Sequence, residues 1–146
     1  MEDTGTAIER FFRAFELNNT SSNITASVSQ FADVFMVAGP QGVQAVRSGD
    51  FALALPKRKQ LFDKLGCRST ALVSLRETRL DARYMMATTQ WRMTFLRDQG
   101  EPEQVLVDSV YIVDTGSDAL KIVFYLASQD IMEVLRNRGI LPGQGS

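Results

Sequence analysis

The stretch from Arg68 to Gln129 constrains this chain most, because it consists of long strand-forming runs separated by short turn sequences. Residues 84–97 read YMMATTQWRMTFLR. One alternating set is Met85, Ala87, Thr89, Trp91, Met93 and Phe95, and the other is Tyr84, Met86, Thr88, Gln90, Arg92 and Thr94. Only the first set is largely apolar, which predicts a strand with one buried face. Residues 98–102, DQGEP, break the pattern with turn formers, and the β-branched run 105–113, VLVDSVYIV, predicts the next strand. A second turn at 114–118 leads to a strand over 120–127, LKIVFYLA. Upstream, Ser69 to Arg83 reads as a more polar strand, placed nearer a sheet edge. Short turns between successive strands require antiparallel pairing, so the block is a meander with one face in need of a cover.

The first 66 residues supply that cover. Thr6 and Glu9 have the spacing of a capping box, and Ile8, Phe11, Phe12 and Phe15 follow at helical spacing on one stripe. Residues 18–23 read as a polar loop, and 24–30 as a short second helix. Residues 31–38, FADVFMVA, predict a short strand ending at the turn Gly39-Pro40-Gln41-Gly42, with another strand over 43–46. Ser48 is placed to cap a third helix running to Leu65 and stopping at Gly66, with Pro56 either kinking it or restarting it. Residues 130–138 predict a terminal helix. The whole is an α+β architecture, expected as one domain over 1–138 followed by a disordered tail over 139–146.

Composition excludes several function classes. Net charge is −1, which gives no electrostatic case for nucleic acid as a partner. The cluster Lys57-Arg58-Lys59 reads as a solvated helix turn. No run approaches the roughly 20 apolar residues of a membrane span, and the acidic start MEDTGTAIER lacks an apolar signal core, so a cytoplasmic protein without a membrane partner is expected. The chain has no histidine and one cysteine, Cys67. That removes histidine-based acid–base catalysis, Ser-His-Asp and Cys-His arrangements and the common metal ligand sets, so no cofactor and no metal site are expected. Cys67 has only Arg68 as a basic neighbour in sequence, a poor setting for an activated thiolate.

The element order, together with AIERFFRAF, FADVFMVAGPQG, GVQAV and VDSVYIVDTGSDALKIVF, resembles the nuclear transport factor 2-like superfamily over residues 6–129. The similarity points to its SnoaL-like and ketosteroid-isomerase-like branches. The resemblance implies a cone, in which a curved, mostly antiparallel sheet wraps around the N-terminal helices and leaves an apolar pocket. It also implies homodimerisation through the outer sheet face. Ketosteroid isomerase chemistry needs a carboxylate base and an oxyanion hole of tyrosine and protonated aspartate. The corresponding positions here hold Phe11 or Phe12, Gly39 and Val110, none of which carries the required group.

A general base would therefore have to be a carboxylate with a raised pKa. Asp108 is the first candidate, on a strand face with Leu106, Val110 and Ile112. The alternative sets it on the outer side against an arginine such as Arg92, and since Val105, Val107, Ser109, Tyr111 and Val113 are also largely apolar, both orientations stay open. Asp33, on a strand face with Phe31 and Phe35, is the second candidate, with a structural role as its alternative. Phe12, Phe15, Trp91, Met93, Val110 and Tyr125 are the expected pocket-lining residues, or else plain core. Three functions follow: a module holding a small hydrophobic molecule, an isomerase, cyclase or lyase using a carboxylate base, or a dimeric interaction protein with a vestigial pocket.

Overall fold

The computed structural model describes residues 6–21, 23–98, 100–116, 118–127 and 131–140. The elements run α1 (Ala7–Ser21), α2 (Ile24–Ser29), β1 (Phe31–Gly39), β2 (Gly42–Arg47), α3 (Ser48–Lys64), β3 (Cys67–Arg79), β4 (Tyr84–Phe95), β5 (Glu103–Asp114), β6 (Lys121–Ala127) and α4 (Ile131–Asn137). One six-stranded sheet has the order β2-β1-β6-β5-β4-β3. Strands β3 to β6 form the expected antiparallel meander, with β3 at an edge. The β1–β2 hairpin joins β6 through the one parallel pairing.

The alternation in β4 sets the faces. Met85, Ala87, Thr89, Trp91, Met93 and Phe95 are all buried, while Arg92 is exposed and its face-mates are half-buried. Helix α1 covers the inner face and is fastened to β3 by polar contacts. The Thr6 hydroxyl accepts from the Glu9 amide at 3.0 Å and donates to the Glu77 carboxylate. The Glu16 carboxylate accepts the Leu72 amide at 2.9 Å, beside a register shift in β3. The Leu72 amide thus has a charged acceptor beside the irregularity. Two buried clusters result. One gathers Ile8, Phe12, Phe31, Phe35, Trp91 and Tyr111 with their neighbours, and the other Phe62, Met93, Phe95, Val105 and Leu135.

Several expectations are corrected. Residues 18–21 are the last turn of α1 rather than a loop, because their side chains bond back into the helix: Thr20 Oγ1 donates to the Glu16 carbonyl at 3.0 Å, and Ser21 Oγ to the Asn18 carbonyl at 3.4 Å. Ser48 lies inside α3. The N-cap is Arg47, without a side-chain cap, and α3 continues through Pro56. The helix does stop at Gly66, whose φ of 91° suits glycine. The strand expected over 69–83 ends at Arg79, since Asp81 Oδ1 accepts the amides of Arg83 and Tyr84, both at 2.8 Å, and turns the chain. Gly139 and Ile140, expected in a disordered tail, instead close α4. Ile140 N donates to Leu135 O at 2.9 Å and Gly139 N to Arg136 O at 3.0 Å, with Gly139 at φ 76°. The rest of that expected tail, 141–146, lies outside the described residues.

Candidate functional site

A cavity of about 410 Å³ opens between the two buried clusters. Every layer of the fold contributes to it. Helix α1 presents Phe15 and Asn19, one turn apart. Helix α3 presents Phe51, Leu55, Arg58, Lys59 and Phe62, a face repeating at helical spacing. The sheet adds Phe31, Phe35 and Val37 from β1, Trp91 and Met93 from β4, Val107, Ser109 and Tyr111 from β5, and Tyr125 from β6. The rings pack on each other: Phe31 lies 4.6 Å from Phe35 and 4.7 Å from Phe51, and Phe15 lies 5.7 Å from both Trp91 and Tyr111. Tyr111 stacks on Tyr125 at 5.0 Å.

The buried polar groups of the wall form a directed chain. Trp91 Nε1–H donates to Thr89 Oγ1 at 2.9 Å, and Thr89 Oγ1 donates to the Ser109 carbonyl at 2.9 Å and meets Ser109 Oγ at 3.0 Å. Ser109 Oγ in turn donates to the Tyr111 hydroxyl at 3.5 Å. Burial pushes the Tyr111 phenol well above its ordinary value of 10.0, against a smaller opposing pull from the Ser109 hydrogen bond and Arg58. The Tyr125 phenol is also raised by burial. Both are therefore neutral hydroxyls near pH 7, able to donate a hydrogen bond but not to act as bases.

Charge lines only the exposed side of the cavity. Arg58, Lys59 and Arg68 stand there with one carboxylate, Asp63. The Lys59 ammonium donates to the Asn19 carbonyl at the end of α1. The Arg58 guanidinium sits over the Phe62 ring, 4.8 Å from its centroid. Cys67 also borders the cavity, with its Sγ 3.6 Å from the Ser69 carbonyl, and burial raises its pKa above the ordinary 9.0. It is a thiol at neutral pH, not an activated nucleophile. Among the described residues no three His, Cys, Asp or Glu side chains come together to hold a metal, and no helix is long and apolar enough to cross a membrane.

The expected site residues divide. Phe15, Trp91, Met93 and Tyr125 line the cavity. Phe12 does not. It is fully buried behind the wall, against Phe11, Phe15 and Tyr111. Val110 and Asp108 lie on the opposite sheet face, because β5 pairs with β4 so that Ser109 meets inward Thr89 and Asp108 meets outward Gln90. Asp108 accepts from Gln90 Nε2 at 3.2 Å, the residue directly opposite it across the strands. Asp33 is exposed within an irregularity of β1, where the pairing to β6 shifts between Phe31 and Met36. Neither candidate base reaches the cavity. The residues missed in the sequence are Tyr111, Ser109 and the face of α3. The spacing of Phe51, Leu55, Arg58 and Phe62 would have disclosed that face.

No protein-family model matches the chain, and neither does any curated protein sequence. Solved structures do. An NTF-2-like protein of unknown function from Shewanella oneidensis is 13% identical, with a TM-score of 0.67 over 84% of this chain and 96% of that one. An NTF2-like protein with a cystatin-like fold from Novosphingobium aromaticivorans is 10% identical, with a TM-score of 0.69 over 93% and 87%. The β subunit of benzoate 1,2-dioxygenase from Burkholderia mallei is 15% identical, with a TM-score of 0.65 over 90% and 94%. The chain thus has the nuclear transport factor 2-like, cystatin-like α+β fold.

Proposed function

We propose that this protein holds a small, largely aromatic molecule in the cavity without transforming it, as a homodimer joined through the outer sheet face. The cavity carries the reading. Its 410 Å³ is within the range of small-molecule sites, and its wall is mostly apolar with a few placed polar groups. A proton-abstracting enzyme needs a base inside such a pocket. The groups at the inner wall are neutral hydroxyls and an indole, and among the described residues the one lining carboxylate, Asp63, stands exposed at the rim. This favours binding over isomerase, cyclase or lyase chemistry at Asp108 or Asp33.

The outer sheet face supports the dimer. Pairing aligns Met86, Ile112, Phe124 and Met36 in one row across four strands, and Val110, Leu126, Ala38 and Val43 in the next. Of these, Met36 and Val43 are clearly exposed. Contiguous apolar rows of this kind mark an interaction surface, and a self-complementary patch closes as a two-fold pair. Native mass spectrometry of the purified protein tests both parts. The expected result is a dimer mass with a small molecule released on activation or removed by unfolding and refolding. A bare monomer that gains no mass when hydrophobic aromatic compounds are added would overturn the reading.

A further inference from the structure

We infer that the ligand is an aromatic acid whose carboxylate pairs with Arg58 at the rim while its rings fill the aromatic cavity. The inference rests on the ligand-holding reading above and adds the charge of the ligand to it. Among the described residues the lining is electrically lopsided, with three basic side chains and one acidic one, on a chain whose net charge is −1. The imbalance is local to the cavity. Of the three cations, Lys59 is engaged by the Asn19 carbonyl. Neither Arg58 nor Arg68 has a carboxylate partner among the described residues, and Arg58 is the one placed over a lining ring, 4.8 Å from the Phe62 centroid. A guanidinium laid on a ring at the mouth of a cavity keeps its planar fork of donors available, and that fork matches a carboxylate bidentately.

The hydroxyls of the wall point the same way. The Tyr111 hydroxyl, neutral and 3.5 Å from Ser109 Oγ, brings a further hydrogen-bonding group to the cavity wall. Arg58, Tyr111 and Tyr125 all line the one cavity. All three groups offer donors, and a carboxylate offers only acceptors. A basic or quaternary ligand would meet repulsion at the rim, and a wholly apolar one would leave the guanidinium without a partner. The size follows from the cavity: at interior packing density, 410 Å³ accommodates a molecule of up to about 300 Å³, the scale of a few fused rings.

The test uses anthracene-9-carboxylate and its neutral match, anthracene-9-carboxamide, titrated at pH 7 and low ionic strength. Trp91 is the one tryptophan in the chain and stands in the cavity wall, so quenching of its fluorescence reports occupancy directly. The expected result is that the carboxylate binds about tenfold to a hundredfold more tightly than the amide, the strength of a charge-assisted pair. Arg58→Gln should erase that preference while leaving amide affinity in place. Lys57→Gln, the same charge change one residue away and off the cavity, should keep it. Circular dichroism checks that both variants fold. Equal binding of the two probes to the wild type, or a preference that survives Arg58→Gln, overturns the acid assignment and leaves the cavity reading standing. If neither probe binds, both readings fall.

Discussion

Thr89→Val is the sharpest test of how the cavity wall is held. The Thr89 hydroxyl takes the indole N–H of Trp91, donates to the Ser109 carbonyl and touches Ser109 Oγ, all within 3.0 Å, at a site only 2% exposed. Valine keeps the shape, so no cavity opens and the loss is purely one of hydrogen bonding. Orphaning a buried indole N–H costs about 1–3 kcal/mol, and the lost bond to the carbonyl about 0.5–1.5 kcal/mol more. The sum, about 1.5–4.5 kcal/mol, lowers Tm by roughly 5–15 °C for a chain of this length. Thr89→Ser keeps the hydroxyl and removes one methyl, a loss of about 1 kcal/mol. The expected order of stability is wild type, then serine, then valine. Urea denaturation followed by Trp91 fluorescence measures it, with the midpoint moving and the slope constant. A valine variant within about 0.5 kcal/mol of wild type, or less destabilised than the serine variant, would refute the claim that this hydroxyl organises the wall.

Two further outcomes are expected. Met36→Glu puts a charge into the outer apolar row and should convert the proposed dimer to a monomer in light scattering without lowering the monomer's helix and strand content; an unchanged dimer mass would place the interface elsewhere. The paired hydrogen bonds from Arg83 at 2.8 and 2.9 Å hold the Asp114 carboxyl below its ordinary value of 3.8. A folded-state pKa below the unfolded one means stability that is present above pH 3.8 and lost as pH falls through the folded value. Wild type should therefore lose Tm more steeply than Asp114→Asn as pH drops below 3.8, and identical acid slopes would count against the pair.

Much of the fold was legible because its signals are local. In β4 the polar residues Gln90 and Arg92 fall on one alternating set and Trp91, Met93 and Phe95 on the other, so side-chain period alone assigned the inner face. The start of α1, the stop at Gly66 and the edge position of β3 follow from caps, a glycine and polarity in the same way. The turn at Asp81 was missed because it carries neither glycine nor proline and works through a side chain accepting two amides.

The site is another matter. Sequence supplied a chain without histidine, and so the absence of the common catalytic constellations. It could not choose between the two faces of β5, because both are rich in apolar residues. That choice belongs to the register with β4, which pairs Ser109 with Thr89 and Asp108 with Gln90, turning Tyr111 in and Asp108 out. A shift of one residue in that pairing would have exchanged them. The shifted register in β1 likewise leaves Asp33 exposed between two buried phenylalanines. Arg58 and Tyr111, 53 positions apart, border one cavity only because α3 closes over the sheet. Local periodicity decides which residues are buried, whereas strand pairing and helix docking decide which of them meet, and a binding site is made of those meetings.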